Sequence, residues 1–305
     1  MTKTNDPGLG SNYKSKIRRL INEDGSYNIK RHGGLRRVRD FYKFLIDLNW
    51  WQFVGLSLFS YILINTLFAC IYLLIGVDQI SGINDLHSPF LNAFFFSIQT
   101  LTTVGYGHLS PLGLGTNIVA SFESFLGLMG IALITGLLYG RFSKPSSKIA
   151  FSKNVIITPH KEGNAVMFKM VNQRNSILLN ASVKVLLILD KSSAPEDTMK
   201  EYHRVSLEVD AIDFFPLTWT VVHEINEESP LFNTSFEEVK LRNAELIILV
   251  EAFDETHSQI VMERRSYGGE QWLKNVKFDR NFRTNEAGEI ELFIKEIDNL
   301  SSLDK

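Results

Sequence analysis

The 305-residue sequence predicts an α+β multidomain fold, in which an α-helical membrane unit is followed by a C-terminal, immunoglobulin-like β-sandwich. Three observations lead to this prediction. Two long segments of the first half are nearly free of charge, a shorter apolar segment lies between them, and the second half alternates short β-branched runs with turn residues. The composition hides this division, because the whole chain is 45% hydrophobic with a net charge of −2.

The two long apolar segments are predicted to be membrane-spanning helices. Residues 49–77 contain no charged residue, and residues 112–140 contain one, Glu123. A helix needs roughly 20 predominantly apolar residues to cross the hydrocarbon core of a bilayer, and both segments exceed that length. The only cysteine, Cys70, lies in the first segment, so a disulfide within the chain is excluded.

The apolar segment between the two spans, residues 90–101, is too short to cross a bilayer. Ser88 can cap its N-terminus, and Pro89 suits the first helical position. A helix of about 12 residues is only ~18 Å long, so we predict that it enters the membrane, stops partway and returns. Its C-terminal end, which carries a negative partial charge, then faces the middle of the membrane.

The distribution of Lys and Arg predicts the orientation in the membrane. Residues 1–48 carry eleven of them against five Asp and Glu, residues 78–115 carry none, and Arg141, Lys144 and Lys148 follow the second span. The positive-inside rule therefore places both termini in the cytoplasm of a multi-pass protein of the cell (inner) membrane. The basic N-terminus has no early apolar run, so no signal peptide is predicted.

Three domains are predicted on this basis. Residues 1–48 form a cytoplasmic N-terminus, residues 49–144 the transmembrane unit and residues 145–305 the cytoplasmic β-sandwich. Apolar residues recur at helical spacing over about 39–50, which favours an amphipathic helix in the membrane interface; the alternative is the frayed start of the first span. The glycine-rich residues 1–38 are predicted to be weakly ordered.

The cytoplasmic half is predicted to be an antiparallel β-sandwich. Its apolar runs are separated by turn-prone residues, and no long helical period competes with them. The predicted strands are Val155–Ile157, Val166–Val171, Ala181–Leu189, Val205–Val209, Leu217–Val222, Leu246–Phe253 and Glu289–Ile294.

The short helix runs directly into Thr102 and the pentapeptide Thr103-Val104-Gly105-Tyr106-Gly107. A dehydrated cation needs oxygen ligands, and backbone carbonyls supply them without a fixed charge. Carbonyls that all point to one side require a backbone of alternating handedness, which Gly105 and Gly107 tolerate. The Thr103 hydroxyl adds a ligand at the inner end, whereas Val104 and Tyr106 point away and can pack as a cuff. One chain supplies a quarter of such a ring, so four chains are expected around the axis.

This arrangement resembles the pore of potassium channels, and the rest of the chain resembles their prokaryotic inward-rectifier (KirBac-type) family. The resemblance covers residues 39 to about 261. Besides the pentapeptide, it is carried by Asp40-Phe41-Tyr42, Asn65–Ala69, Ala93–Ser97, Ala132–Pro145, Glu228–Phe232 and Asp254–Thr256. The sequence has neither the arginine series of voltage sensors nor a nucleotide-binding β-α-β pattern after the pore.

The resemblance implies passive, selective K⁺ conduction through a homotetramer that is gated from the cytoplasmic side. K⁺ is then the permeant ion, bound at Thr103, Val104, Gly105 and Tyr106 within the selectivity filter Thr103–Gly107. It further implies modulation by membrane lipids, either anionic lipid in general or phosphoinositide, and block by Mg²⁺ or polyamines. Neither a catalytic cofactor nor a nucleic-acid partner is expected.

The second span presents Gly127, Ile131, Thr135 and Tyr139 at intervals of four, so these residues share one face, which would line the path below the filter. Gly127 permits either a bend or close helix packing. In the resembling family an aromatic residue at the position of Tyr139 is taken as the inner gate; a plain interfacial tyrosine is the alternative. Strong rectifiers carry an acidic residue at the position of Ile131, so weak polyamine block is expected.

Three polar residues are predicted to support the filter: Gln99, Thr102 and Glu123. Glu123 is an ionisable residue within a span, and it is either an acceptor for hydroxyls of the short helix or a free charge in the ion path. Gln99 stands where many members of the resembling family carry Glu, and an amide cannot form the ion pair of that carboxylate. His108 replaces a frequent Asp, which removes negative charge from the outer mouth.

Basic residues flank both spans on the cytoplasmic side. They can serve topology alone, through general attraction to anionic lipid, or they can form a specific headgroup site that couples to the gate. The candidates for lipid binding are Arg36, Arg37, Arg39, Lys43, Arg141, Lys144 and Lys148.

Three other functions compete with conduction. A non-conducting membrane sensor is disfavoured by the intact pentapeptide, and a potassium transporter subunit usually carries several imperfect filter loops in one chain. A membrane enzyme lacks a candidate site in this sequence. His203, His223 and His257 lie among predicted strands without the spacing of metal ligands, so they are interpreted as surface or hydrogen-bonded histidines.

Overall fold

The computed structural model describes residues 8, 19, 21–30, 32, 38–83, 88–143, 148–191 and 199–303, with the backbone alone for residues 38–40. The chain divides into two compact units. One consists of residues 33–144, and the other combines residues 1–32 with residues 145–305.

The first unit is helical. Both predicted spans and the predicted short helix are confirmed as helices, and Ser88 caps the short one by accepting a hydrogen bond from the Leu91 amide at 3.3 Å. The helix expected before the first span is a separate element, because it ends at Asp47. The four helices are α1 (Val38–Asp47), α2 (Trp50–Ile75), α3 (Pro89–Leu101) and α4 (Leu114–Phe142).

The helices α2, α3 and α4 pack around a small apolar cluster. Tyr72 of α2, Phe96 of α3 and Ala120 of α4 are among its buried members, and the Tyr72 and Phe96 rings meet edge to face with centroids 4.9 Å apart. Two short strands, β1 (Ile80–Ser81) and β2 (Ser110–Pro111), pair antiparallel beside this cluster. This pairing brings the ends of the α2–α3 and α3–α4 connections together.

The long helices expose most of their surface in a single chain. The most apolar 18 residues of α2 are 22% buried within the chain, and those of α4 are 17% buried. A core helix of a soluble protein of this length and hydropathy would be mostly buried. The two helices therefore have the length, composition and exposure of membrane spans.

The second unit is built from two five-stranded sheets and two two-stranded ones. The strands are β3 (Ile149–Phe151), β4 (Val155–His160), β5 (Gly163–Asn172), β6 (Leu178–Asp190), β7 (Lys200–Val205), β8 (Ala211–Phe215), β9 (Thr218–Ile225), β10 (Glu245–Asp254), β11 (Gln259–Tyr267), β12 (Trp272–Lys274), β13 (Val276–Phe278), β14 (Phe282–Thr284), β15 (Ile290–Leu292) and β16 (Leu300–Ser302). One five-stranded sheet has the order β11-β10-β6-β7 with β8 also on β6, and the other has the order β12-β4-β5-β3 with β9 also on β5. The two-stranded sheets are β13 with β16 and β14 with β15. A short helix, α5 (Phe236–Leu241), precedes β10.

The core of this unit lies between the two five-stranded sheets. Alternate residues of β5, such as Val166 and Phe168, meet alternate residues of β6 and β10, such as Val185 and Ile248, and all four are buried. A period of two along each strand is what places one face of each sheet in a shared core. The β-sandwich prediction is thereby confirmed.

Two details of the β prediction are wrong. The run Val205–Val209 is a strand only at Val205, because β7 lies before it. The unit is not antiparallel throughout, since β12 pairs parallel with β4. The prediction also missed β11, in which Glu263, Arg264 and Arg265 interrupt the apolar residues.

Part of the segment predicted to be weakly ordered is packed on the second unit. Ile21 and Tyr27 form an antiparallel bridge, and the Ile21 side chain is 3% exposed in a cluster with Ile188 and Ile247. The Arg265 guanidinium also donates to the carbonyl of Glu23 at 2.9 Å. For residues 21–27 the prediction of weak order is therefore wrong.

His223 is a buried, hydrogen-bonded histidine of β9. Its Nδ1 lies 2.6 Å from the carbonyl oxygen of Ser206, so this nitrogen carries the proton, and its Nε2 accepts from the Ser229 hydroxyl at 2.8 Å. Burial lowers the pKa of the imidazole below its ordinary value of 6.5. The folded unit therefore holds this histidine neutral at pH values where the unfolded chain has begun to protonate.

We expect the free energy of unfolding of this unit to fall as the pH drops through 6.5. The unfolded chain then binds a proton that the folded chain refuses, and each pH unit below that value removes at most about 1.4 kcal/mol. Urea unfolding followed by circular dichroism between pH 7.5 and 5.5 measures the slope. His223→Asn should reduce it, because the buried imidazole that resists protonation in the folded unit is then gone. Equal slopes for wild type and His223→Asn would contradict the assignment.

Candidate functional site

The pentapeptide loop is fastened to the last turn of α3. The carbonyl of Gln99 accepts hydrogen bonds from the amides of Val104 at 3.1 Å and Gly105 at 3.3 Å, and the Thr103 amide donates to Thr100 at 3.0 Å. These carbonyls belong to the helix end, where no further turn is present to use them. The position of the loop is thus set by the position of α3.

The backbone of the loop alternates in handedness, as predicted. Thr103, Gly105 and Gly107 have φ values of 57°, 54° and 82°, and the residues between them do not. The prediction gave positive φ to the two glycines but not to Thr103, which is an uncommon conformation for a residue with a Cβ. Alternation of this kind turns successive carbonyls toward one side of the chain.

The side chains on the other side of the loop lack packing in a single chain. Val104 is 54% exposed and Tyr106 is 78% exposed. Large apolar side chains next to an ordered loop are usually buried against neighbouring residues. Both side chains are therefore available for contact with a neighbouring molecule.

A buried polar network connects the three helices behind the loop. Glu123 of α4 contacts the Ser97 hydroxyl of α3 at 2.5 Å through Oε1 and accepts from the Tyr72 hydroxyl of α2 at 2.6 Å through Oε2. Ser97 also lies 3.0 Å from the Asn65 Oδ1 of α2. All four side chains are 0% exposed. Glu123 thus has the acceptor arrangement, not that of a free charge.

The protons of this network can be counted. The Asn65 amide nitrogen donates to the Tyr61 carbonyl at 2.7 Å, which leaves its Oδ1 as an acceptor toward Ser97. Ser97 has one hydroxyl proton and two oxygen neighbours, Asn65 and Glu123. That one proton can point to either oxygen, and the Glu123 oxygen is the nearer of the two.

The helix α4 approaches the end of α3 most closely at Gly127. A Cβ at this position would overlap the carbonyl of Leu101, and Gly127 is buried. One turn before Gly127 on α4, the Ser124 hydroxyl lies 3.4 Å from the Thr100 carbonyl of α3. Close helix packing, one of the two roles considered for Gly127, is the one seen in the structure.

Comparison with known proteins identifies the family. Residues 149–304 match the model of the inward rectifier potassium channel C-terminal domain, and residues 59–144 match a model described as ion channel. Kirbac3.1, an inward rectifier potassium channel of Paramagnetospirillum magnetotacticum, is 32% identical over 268 residues, which cover 87% of this chain and 90% of that protein. The chain belongs to the prokaryotic inward rectifier (KirBac-type) potassium channel family.

More distant relatives carry the same description. G protein-activated inward rectifier potassium channel 2 of Rattus norvegicus and of Homo sapiens are each 26% identical over 293 residues, which cover 87% of this chain and 68% of those proteins. The solved structure of the Pseudomonas fluorescens alkylpurine DNA glycosylase AlkC bound to DNA matches with a TM-score of only 0.20 and 8% identity, over 61% of this chain and 45% of that one. This last similarity carries no argument.

Membership of the KirBac-type family makes the chain a potassium channel and a membrane protein. The family is one of ion channels and not of enzymes. The region that matches the ion channel model contains α3, the filter loop and all of α4. The loop and the helices that hold it thus lie within the matched ion channel region and form the candidate site.

The residues expected to line the path below the filter are exposed in a single chain, apart from Gly127. Ile131 is 51% exposed, Tyr139 is 74% exposed, and Thr135 is also exposed. Thr102, expected to support the filter, donates its hydroxyl to the Ile98 carbonyl at 2.7 Å. Gln99 leaves its buried Oε1 without a hydrogen-bond partner among the described residues.

The side chain of Arg141 makes contacts that the sequence did not predict. Its guanidinium donates to the carbonyls of Leu45 at 3.0 Å, Ile46 at 2.8 Å and Leu48 at 2.7 Å, and it lies 4.8 Å from the centre of the Phe53 ring. It thereby satisfies the free carbonyls at the C-terminus of α1 and ties α1 to the end of α4. With these donors in use, fewer N–H groups of the guanidinium remain to bind a lipid headgroup.

The other lipid candidates are only partly described. Lys43 and Lys148 are exposed, whereas Arg36, Arg37 and Lys144 lie outside the described residues and Arg39 is described by its backbone alone. The three histidines behave as interpreted: His223 is buried and hydrogen-bonded, His257 Nδ1 lies 2.9 Å from Asp254, and His203 lies 3.8 Å from Glu201.

A charged cluster on the second unit escaped the sequence analysis. His160, Glu208 and Glu224 could together hold a metal ion by distance. Lys161 occupies the space between the two carboxylates, with its Nζ 2.9 Å from Glu208 and 2.5 Å from Glu224, and the hydrogen bond to Glu224 is the main cause of a raised lysine pKa. The cluster's own lysine balances one of its two carboxylate charges.

We expect Glu123→Gln to preserve the assembled protein and Glu123→Ala to damage it. A glutamine keeps one side-chain oxygen that can accept from Tyr72, and its amide can donate to the Ser97 oxygen. Alanine leaves the buried Tyr72 hydroxyl without its acceptor and leaves Ser97 with Asn65 alone, at a cost of about 1–3 kcal/mol for the unpaired hydroxyl. Thermal unfolding of the purified assemblies and their rubidium uptake in proteoliposomes measure both effects. A glutamine variant as damaged as the alanine variant would show that a charge is needed at this position.

Proposed function

We propose that four copies of this chain surround one axis and conduct K⁺ selectively through the filter Thr103–Gly107. The carbonyls of Thr103, Val104, Gly105 and Tyr106 and the Thr103 hydroxyl would replace the hydration shell of the ion. The alternating φ values of the loop carry this proposal, because an ordinary turn has no need of positive φ at every second residue. No fixed charge of the loop takes part.

The fourfold assembly is supported by what a single chain leaves incomplete. Val104 and Tyr106 lack cover, and the buried Gln99 Oε1 has no partner in the described part of the chain. Four loops around an axis would bury the two side chains as a cuff between the filter and the neighbouring helices. A neighbouring subunit or an ordered water would then supply the donor for Gln99.

The proposal extends to the orientation in the membrane and to the gate. Basic residues precede α2 and follow α4, and residues 78–115 contain none. This distribution supports cytoplasmic termini in the cell membrane. Tyr139 is exposed on the last turns of α4, where four such rings would converge as a hydrophobic constriction. A tyrosine in the interface, away from the axis, is the alternative that mutation of Tyr139 would distinguish.

Lipid modulation is proposed with a changed set of residues. Lys43 on the exposed side of α1 is free to meet an anionic headgroup, and the basic residues 36, 37, 39, 144 and 148 add to the same charge. Arg141 is proposed instead to couple α1 to α4. A headgroup that moves α1 would then act on the end of α4 through this arginine.

The filter assignment is tested by flux. We expect wild-type proteoliposomes to take up rubidium, exclude sodium and be blocked by barium. Gly105→Ala should abolish selective uptake, since an added Cβ opposes φ = 54°. Gly130→Ala is the matched control, because a Cβ at Gly130 of α4 meets no described atom within 4 Å. Continued exclusion of sodium by Gly105→Ala, with normal rubidium uptake, would place the filter elsewhere.

The face of α4 is tested by polyamine block. An apolar ring at Ile131 gives a multivalent cation no binding energy, so we expect weak block of the wild type by internal spermine. Ile131→Asp should create strong voltage-dependent block, because four carboxylates would focus on one axis between low-dielectric walls. Ile131→Asn is the uncharged control and should remain weakly blocked. Equal block of the Asp and Asn variants would mean that residue 131 does not face the path.

A further inference from the structure

A cavity of about 330 Å³ lies on the outer face of the second sheet. On β4, β5 and β9 the residues that line it alternate with the residues of the core, as Met167 and Lys169 alternate with Val166 and Phe168. Residues 277–282, which contain the end of β13 and the start of β14, form the opposite wall. The cavity is therefore a gap between a sheet and the segment that covers it.

Lys169 is the unusual residue of this cavity. It stands in the middle of β5, its side chain points away from the core, and it is 5% exposed. Its Nζ donates to the carbonyl of Asp279 at 2.5 Å and lies 5.5 Å from the centre of the Phe278 ring. The other two N–H groups of the ammonium have no acceptor among the described residues, although a buried ammonium normally pairs all its donors.

The charge around Lys169 favours an anion. Lys277 and Arg280 also line the cavity, and Asp279 is its one carboxylate. The Asp279 Oδ1 accepts the Ser301 hydroxyl at 2.5 Å. Three cations and one anion leave an excess positive charge of two around a cavity whose central lysine is only 5% exposed. Burial lowers the pKa of Lys169, because it removes water from the ammonium. A bound anion would stabilise the charged form.

The rest of the lining is apolar. Ile156, Pro159 and Met167 form the floor on the sheet, and Phe278 and Phe282 form part of the opposite wall. The Arg280 guanidinium lies 5.3 Å from the centre of the Phe282 ring, at the exposed side of the segment. Inorganic ions would leave these surfaces unused, whereas a ligand with an apolar body would cover them.

We propose that this cavity binds a small organic anion, with a carboxylate or phosphate group on the Lys169 ammonium and an aromatic or aliphatic body between Met167 and the phenylalanines. The two unused N–H groups of Lys169 give the anionic group its hydrogen bonds. Lys277 and Arg280 supply the surrounding positive charge. The site belongs to the β-sandwich and is separate from the filter and from the lipid-facing basic residues.

The competing explanation is structural. The bond from Lys169 to the Asp279 carbonyl could serve only to hold residues 277–282 against the sheet. On that explanation the charge of Lys169 supports folding, and no anion is needed. The two explanations differ in whether a soluble anion binds with saturation and whether its charge matters.

The test uses the assembled full-length protein and two fluorinated probes, 4-(trifluoromethyl)benzoate and the neutral 4-(trifluoromethyl)benzyl alcohol. Fluorine NMR line widths are titrated against protein-free micelles of the same detergent. We expect saturable binding of the benzoate and at least about tenfold weaker binding of the alcohol, because a charge-assisted hydrogen bond is lost. Lys169→Met should weaken benzoate binding to the level of the alcohol, and Lys184→Met, at an exposed lysine of the other sheet, should not.

Arg280→Gln guards against a folding defect in Lys169→Met, because Arg280 is exposed and its loss removes charge without disturbing the sheet. It should weaken benzoate binding while the thermal unfolding temperature stays that of the wild type. Absence of saturable benzoate binding would overturn the proposal. So would equal binding of the alcohol, or unchanged benzoate binding in a folded Lys169→Met variant.

Discussion

The short helix α3 is held from both sides by buried polar contacts, and the filter loop is attached to its last turn. Glu123 joins Ser97 of α3 to Tyr72 of α2, and no member of this group is exposed. Polar groups buried without partners are destabilising, so a complete network admits few other positions of α3. The Gln99 carbonyl then passes this position on to the amides of the loop. A displaced helix would displace the carbonyls by the same amount.

The same region shows where one chain stops being sufficient. The side of α3 that faces α2 and α4 is packed as far as its last residue, Leu101, whose carbonyl lies against Gly127. By contrast, Val104 and Tyr106 are exposed, and α2 and α4 expose most of their apolar surface. Membrane lipid can cover the helices, but an ordered loop with an uncovered tyrosine calls for protein neighbours. The division between completed and uncompleted packing supports a ring of subunits around the loop.

Much of this architecture could be predicted because it depends on local rules. The lengths of the spans, the Ser88-Pro89 start of α3 and the two glycines of the loop each follow from composition or from the conformational freedom of single residues. The positive φ of Thr103 could not be predicted, since it is imposed on a residue that disfavours it. Arg141 reads as an ordinary basic flank, and only the tertiary fold brings the α1 carbonyls to it.

The β-sandwich was predicted as a fold, and the details of it that were missed also depend on tertiary contacts. The buried runs were recognisable, but three charged residues interrupt β11, and the pairing of β12 with β4 joins residues far apart in the chain. Ile21 is a single apolar residue in a polar segment, and its burial against the sheet has no periodic signal. The Lys161 cluster and the buried Lys169 likewise depend on strands meeting across the sheet.

Calorimetric titration of ions into the assembled protein would test whether the filter loop is a dehydrated-cation site. The protein would be purified in choline chloride, so that the loop starts without a competing small cation, and K⁺, Rb⁺ and Na⁺ would be added in separate runs. Saturable heats for K⁺ and Rb⁺, and none for Na⁺ over the same concentrations, are expected from a ring of carbonyls fixed by α3. Equal heats for K⁺ and Na⁺, or no saturable K⁺ binding at all, would contradict it.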